Sequence, residues 1–443
     1  MKKFLLLLTI LGLSLNCAYA GLKSEINDVI NKSGINRGSI SVSVKNAATG
    51  KTVYELNQNV PISPASTQKI ITTTPAFMTL GDDYKFSTKL YKNNNNEYLI
   101  VLGADPYLKS RELEKIVKFI PKEPKCINID SSVIDNNEWG EGWQWDDDLN
   151  PLMPKFSAYN IDKNIMEIVI SPSMSGYPPE ITQDVSYPLT FINKIVTSNN
   201  TKYTIKRQNQ ISPDIILLNG TIRFGQSEII KMPVSYPKKY FTMRLSEAII
   251  NQGISSSGEY KNVKLNKNYT LITLLSHDIN QAKTDIFKNS NNFVTETVFK
   301  LAGGKYSSST GSFENGHEMF QDFCKKHNLD TSKIRIVDAS GVSKNNLMVA
   351  DFMTDFLYAT RGYLEPNLAT AGEGTLSNRM LYLKGFVRAK TGTLSNISSI
   401  AGYISTLRHQ SYVFCIMIND PKSSAGDKKM LEEYILRTIY SKG

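Results

Sequence analysis

Three short clusters in this chain set a hydroxyl beside an amine or an amide. The first is Ser66-Thr67-Gln68-Lys69, inside the run SPASTQKIITTTPAF over residues 63–77. Residues three apart on a helix share a face, so the lysine amine reaches the serine hydroxyl and, when neutral, takes its proton. On this motif alone a plainer use is favoured, a helix start with a capping serine and a solvated lysine. The second cluster is Lys390-Thr391-Gly392-Thr393, between the strand-like runs GFVRA and SSIAGYIS. Its glycine lets a ligand approach the backbone and its lysine offers a cation to a carboxylate, whereas the plainer use of Thr-Gly-Thr is a turn between strands. The third is a Ser-x-Asn element, for which the chain offers Ser198-Asn199-Asn200, Ser290-Asn291-Asn292 and Ser343-Lys344-Asn345. Ser290 is preferred: it stands between two helical patterns, where the apolar face of Phe293, Val294, Val298 and Leu301 begins, although a capping role would also suit it. Ser198 falls in a β-rich stretch, and Ser343 in the looser segment DASGVSKNN.

SISVSVKNAATGKTVYELN (39–57) alternates and turns, as an antiparallel hairpin does. A helix beginning at Ser66 follows, with Ile70, Ile71, Pro75, Phe77, Met78 and Leu80 on or near one face and Gly81 as its stop. Residues 86–270 carry short β-rich runs such as YLIVLG, IMEIVISP and DIILLNGTIRF between Asn, Lys, Ser and Pro clusters. From about residue 278 apolar spacings of three and four return. Two adjacent strands, SSIAGYISTL and SYVFCIMIND, then precede a final helix whose inner face is expected at Met430, Leu431, Tyr434, Ile435 and Ile439. A hairpin and helix at the start that need strands and helices at the end predict one discontinuous domain interrupted by an insertion.

Composition narrows the function classes. MKKFLLLLTILGLSLNCAYA, residues 1–20, has two lysines, an apolar stretch too short to span a bilayer and a small-residue end, and reads as a secretory leader cleaved after Ala20. The net charge of +10 is scattered, with no basic run interleaved with aromatics, so nucleic acid is not an expected partner. The final helix carries no long basic amphipathic tail, which leaves at most loose membrane association. Cys126, Cys324 and Cys415 lack CxxC spacing, so no disulfide framework is implied, though one pair is possible. The four histidines form no ligand grouping, and neither metal nor cofactor is expected.

Ser-x-x-Lys, Ser-x-Asn and Lys-Thr-Gly in this order form a set found in penicillin-interacting serine enzymes. Together with LGADP (102–106), GWQWDDDLNP (142–151), FSAYNIDKN (156–164), DASGVSKNNLM, GEGTLSNRM and AKTGTLSNISSIAGY, they make the chain resemble the class C, low-molecular-mass penicillin-binding proteins, the D-alanyl-D-alanine carboxypeptidase/endopeptidases, over nearly all its length. Asn291 stands where that family commonly has aspartate, and Ala339 where it commonly has glycine. The resemblance implies an α+β, serine β-lactamase/transpeptidase-like domain, an antiparallel sheet covered by helices, with two smaller β-rich inserted domains. The expected division is 21–85 with 270–443 for the catalytic part, 86–164 with 223–269 for one insert, and 165–222 for the other.

The resemblance also implies roles. Ser66 is the nucleophile, Lys69 its base, Ser290 the proton relay to the leaving amine and Asn292 a hydrogen-bonding group for Lys69 and a substrate amide. Lys390 and Thr391 bind the terminal carboxylate, Gly392 allows close approach, and Thr393 shares an oxyanion hole with Ser66. Asp147 corresponds to a family position that meets the amino group of a substrate side chain. The implied partners are peptidoglycan, and β-lactams as covalent inhibitors, in the periplasm. Two rivals remain. A β-lactamase or esterase on the same fold is disfavoured by the long insertion and by the lack of an evident glutamate to activate water. A noncatalytic wall-binding protein has no use for a nucleophile between two amines.

Overall fold

The computed structural model describes residues 21–183 and 187–443, so the expected leader lies outside the described residues. Helix α1 (21–32) leads to the expected hairpin, β1 (Ile40–Asn46) and β2 (Thr52–Leu56), and then to α2 (Lys69–Leu80). The β-rich stretch contains β3 (Lys85–Lys92), β4 (Glu97–Val101), the short helix α3 (Glu114–Val117), β5 (Cys126–Asp130), β6 (Ile165–Ser171) and β7 (Glu180–Gln183). It continues through β8 (Thr190–Ser198), β9 (Lys202–Gln208), β10 (Ser212–Arg223), β11 (Glu228–Pro233), α4 (Pro237–Asn251) and β12 (Thr270–Asp278). Helices α5 (Ile279–Phe287), α6 (Asn292–Ser307), α7 (Phe313–Lys326) and α8 (Ala350–Leu364) follow. The chain closes with β13 (Ala369–Thr370), β14 (Val387–Leu394), β15 (Ile397–Ser405), β16 (Ser411–Asn419) and α9 (Ala425–Lys442).

Both ends of the chain build one antiparallel sheet in the order β13-β14-β15-β16-β1-β2. Its central strands are apolar on both faces of the pleat, which requires cover on both sides. In β16, Phe414, Ile416 and Ile418 belong to the core closed by α1 and α9, whereas Val413, Cys415 and Met417 belong to the one closed by α2 and α8. Helix α2 runs through the second core and is buried from Lys69 to Phe77, so the one-sided pattern expected of it is absent; Met78 is exposed. The face of α9 also differs from the expected one. Leu431, Ile435, Leu436 and Ile439 are buried, while Met430 and Tyr434 are about half exposed, which is how helix amphipathicity sorts neighbours when only one stripe meets the sheet.

The stretch between α2 and α5 forms three further sheets: β12-β3-β4-β5, β11-β6-β7 and β8-β10-β9. Strand 270–278, placed by the sequence reading in the catalytic part, pairs with 85–92, and strand 228–233 pairs with 165–171. Alternating side chains determine neither pairing, because register is set by partners distant in sequence. Cys126, Cys324 and Cys415 are free thiols.

Candidate active site

Ser66 lies in a 3-10 turn, Ala65–Gln68, that runs directly into α2. It is the least buried residue between Ser63 and Ile71. The turn is fixed from two sides, because the Thr67 and Ser399 hydroxyls both donate to the Pro64 carbonyl, at 2.7 and 2.6 Å. The Ser66 side chain caps nothing. Its Oγ is 2.8 Å from Lys69 Nζ, which also lies 2.7 Å from Asn292 Oδ1 and 2.6 Å from the Ser340 carbonyl oxygen. A neutral amine has two N–H groups and one lone pair. Asn292 Oδ1 and the Ser340 carbonyl can only accept, so in the neutral form the lone pair is left facing the Ser66 hydroxyl. Burial supplies that form, bringing the Lys69 pKa down to about 7 against the opposing pull of the Asp338 and Glu296 carboxylates.

A second buried amine meets the second serine. Lys390, on β14, donates to Ser290 Oγ at 2.8 Å and to the Thr391 carbonyl at 2.7 Å. Its pKa is driven well below the usual lysine range by burial and then by the charge of Lys69. Of the three Ser-x-Asn candidates, Ser290-Asn291-Asn292 is therefore the one that meets both lysines. Ser290 has a left-handed backbone, φ +62°, a conformation that costs a non-glycine residue about 1–3 kcal/mol and concentrates at functional sites. Asn291 caps α6 by accepting from the Val294 N–H at 3.0 Å, and Asn292 Nδ2 reaches across to the Leu152 carbonyl at 3.0 Å. Gly392 is needed for contact: a methyl there would fall 2.3 Å from Ser399 Oγ and 2.8 Å from the Ser66 nitrogen, so β14 lies directly against the serine turn.

Behind Lys69 stand two carboxylates that sequence reasoning passed over. Glu296 accepts from the Ser340 N–H at 2.8 Å and the Ala339 N–H at 3.2 Å, fixing the residue whose carbonyl receives Lys69. Burial, and then the charge of Asp338, push its pKa up to about 7. Asp338 accepts from the backbone N–H groups of Gly341, Val342 and Ser343 and from Trp143 Nε1, at 2.7–2.9 Å. DASGVSKNN is thus a tight carboxylate-centred loop rather than a loose one. A signal existed for Glu296, which is four residues after Asn292 and so on the same helix face. None existed for Asp338, whose partners come from three separate segments. Thr375 was also missed; its Oγ1 accepts from Thr391 Oγ1 at 2.8 Å.

Ser66, Ser290, Asn292, Thr375, Thr391 and Thr393 open onto one cleft of about 810 Å3. Asp285, Asn289, Phe293 and Val342 are among the further lining residues of the catalytic part, and the insertion adds Asn150–Pro154, Lys163, Ile165 and Lys231. Asp147 is not among the lining residues. It ends a short turn, Trp145–Asp147, and its carboxyl pKa is raised by burial and by Asp146. The next aspartate, Asp148, accepts from Asn209 Nδ2 at 2.8 Å and pairs with Arg207 at 3.5 Å, which spends part of the acidic run on contacts within the insertion. Among the described residues no group of three or more His, Cys, Asp or Glu side chains is placed to hold a metal ion.

A serine hydroxyl facing a buried amine whose charged form is disfavoured, beside a second amine-bound serine and a strand edge, is the constellation of a serine acyl-transfer enzyme. Residues 22–436 match the D-Ala-D-Ala carboxypeptidase 3 (S13) family, and the chain belongs to that family. It is 24% identical over 428 residues to the D-alanyl-D-alanine carboxypeptidase DacB of Haemophilus influenzae, covering 89% of this chain and 88% of that one. It is 22% identical over 450 residues to the D-alanyl-D-alanine carboxypeptidase of Actinomadura sp. strain R39, covering 90% and 82%. The crystal structure of penicillin binding protein 4 (dacB) from H. influenzae superposes with a TM-score of 0.84 at 21% identity, covering 94% of this chain and 99% of that chain. A second structure of that protein, in complex with a β-lactam, superposes with a TM-score of 0.78 at 20% identity, covering 94% and 99%.

Proposed function

We propose that the protein is a serine D-alanyl-D-alanine carboxypeptidase, with endopeptidase action on D-amino-acid crosslinks, acting on peptidoglycan peptides through an acyl-serine intermediate. The observation that carries this reading is the Lys69 amine, buried and bonded so that its lone pair meets the Ser66 hydroxyl. Lys69 takes the proton as Ser66 Oγ attacks the carbonyl of the penultimate D-alanine. The oxyanion that forms faces the backbone N–H groups of Ser66 and Thr393, and one such donor contributes roughly 3–4 kcal/mol in comparable sites. Ser290, bound to Lys390, passes a proton to the departing amine, and the Thr391 and Thr375 hydroxyls, with Lys390 behind them, hold the terminal carboxylate. Asn292 orients Lys69 and donates to the substrate backbone. Water then frees the acyl group.

A β-lactam follows the same path as far as the acyl-enzyme and stays there. Both oxygens of Glu296 are engaged by backbone N–H groups behind Lys69, which leaves it unable to serve as the base of a fast deacylating water, as a β-lactamase would require. The strands between residues 85 and 278 make up the two inserted units, one of them closing the far side of the cleft. The leader and the family together favour export to the periplasm; no helix among the described residues is long and apolar enough to cross a membrane. Release of D-alanine from a peptide ending in D-Ala-D-Ala, followed beside cleavage of a crosslinked dimer, tests the assignment. Failure of the folded protein to cleave either one overturns it.

A further inference from the structure

The segment FSAYNIDKN supplies part of the cleft wall through an unusual backbone. Asp162, Lys163 and Asn164 all have left-handed φ, +49°, +58° and +54°, a run that only strong local constraint sustains in residues other than glycine. The constraint lies on both sides of Lys163. The Asp162 N–H donates to the Leu108 carbonyl at 2.9 Å, and Asp162 Oδ1 accepts from the Ser110 N–H at 3.1 Å. Asn164 is fully buried. Its Oδ1 accepts from the Ile161 N–H at 3.1 Å, and its Nδ2 donates to the Lys155 carbonyl at 2.8 Å and to Asn160 Oδ1 at 3.1 Å.

Lys163 itself is held by none of this. It is half-buried, lines the same cleft as Ser66, and has no hydrogen bond or ion pair among the described residues. Lys231 lines the cleft from β11, with one loose pairing to Glu167 at 3.6 Å. Asp285 is the one carboxylate among the lining side chains, and its Oδ1 already accepts from Asn289 Nδ2 at 3.1 Å. The insertion therefore presents Lys231 from β11 and Lys163, without a counter-ion among the described residues, from a turn whose strained backbone fixes where its amine projects.

We infer that Lys163, supported by Lys231, is a subsite for a carboxylate carried by the substrate peptide upstream of the scissile D-Ala-D-Ala bond. This rests on the proposed function and adds to it. The proposed function already places the terminal carboxylate at the Thr391 and Thr375 hydroxyls with Lys390 behind them, so the group received here is a second one, and the preferred substrate is a peptide bearing a free acid before its D-alanines. A stem peptide can carry that acid on a γ-linked glutamyl residue or on the side chain of a diamino-dicarboxylic residue. Both present the same chemistry to an amine.

The test uses acetylated stem peptides ending in D-Ala-D-Ala, either with both acids free or with one or the other amidated. D-alanine release by the mature full-length protein is measured for each. Amidation at the acid received by Lys163 is expected to raise KM about five- to tenfold with kcat little changed, and the position whose amidation does so identifies the source. Lys163→Asn keeps a residue that tolerates the left-handed turn and is expected to bring the ratio between free and amidated peptides close to one. Lys163→Glu is expected to invert the preference, and Lys163→Arg to retain it. The penicillin adduct, read by mass in each variant, certifies a folded site. If all the peptides are cleaved equally by wild type, or Lys163→Glu leaves the preference unchanged, the subsite is overturned and the peptidase assignment stands. If none is cleaved, the assignment fails first.

Discussion

Lys163 lines the cleft, half-buried on the wall contributed by the insertion, whereas Lys69 lies fully buried behind Ser66, the serine that opens onto the same cleft. Lys69 contacts three oxygens and has its pKa brought down to about 7, whereas Lys163 has no hydrogen bond or ion pair among the described residues. The surroundings follow the same division. Behind Ser66, Glu296, Asp338 and Lys390 are all buried and tied to named backbone or side-chain atoms. On the insertion side Leu152 is exposed and the Lys231 pairing is loose. Burial with complete bonding disfavours the charged form of an amine and suits Lys69 to the work of a base. The two walls thus differ in how far their amines are buried and bonded.

Removing the base breaks the chemical wall most severely. Lys69→Met keeps the buried volume and deletes the proton acceptor, and acylation by benzylpenicillin is expected to slow by about a thousandfold, read by stopped-flow or quenched mass spectrometry. Gly392→Ala acts through position alone. Its methyl would overlap Ser399 Oγ and crowd the Ser66 nitrogen, displacing β14 from the serine turn, and kcat/KM is expected to fall by about a hundredfold with stability less affected.

The pH profile sharpens the comparison with a smaller effect. Acylation needs neutral Lys69, so its rate is expected to climb as pH rises through about 7, the value to which burial lowers that amine, rather than near the usual lysine range. Glu296, pushed up to about 7, titrates in the same window, so the ascending limb belongs to the pair. The Glu296 carboxylate favours the charged form of Lys69, so Glu296→Gln is expected to move the limb to lower pH by less than about one unit. That variant also sets an amide N–H against a backbone donor, at about 1–3 kcal/mol of stability measured by urea titration.

The chemical wall was largely legible in the sequence, because its motifs are short and each holds its groups at local spacings. Ser66 and Lys69 are one turn apart, Ser290 and Asn292 flank one helix start, and Thr391 follows Lys390 along a strand. What binds the motifs to one another was hidden. Asp338 gathers Trp143, Gly341, Val342 and Ser343 from segments nearly two hundred residues apart, and Glu296 reads in sequence like any solvated helix glutamate. The insertion was harder still. Strand 270–278 joins residues 85–92 by a pairing that alternation does not determine, and nothing in the composition of Asp162-Lys163-Asn164 announces three left-handed residues in a row. The α9 face was misjudged for a related reason: Met430 and Tyr434 are apolar enough to suggest a core yet lie on the side the sheet does not reach.

The most direct test of the account is the intact mass of the mature protein before and after benzylpenicillin, with Ser66→Ala measured in parallel. A single covalent adduct is expected in the wild type, persisting over many minutes and absent from the variant. A folded wild type that takes no adduct, or a Ser66→Ala protein that still takes one, would contradict the assignment of Ser66 as the nucleophile.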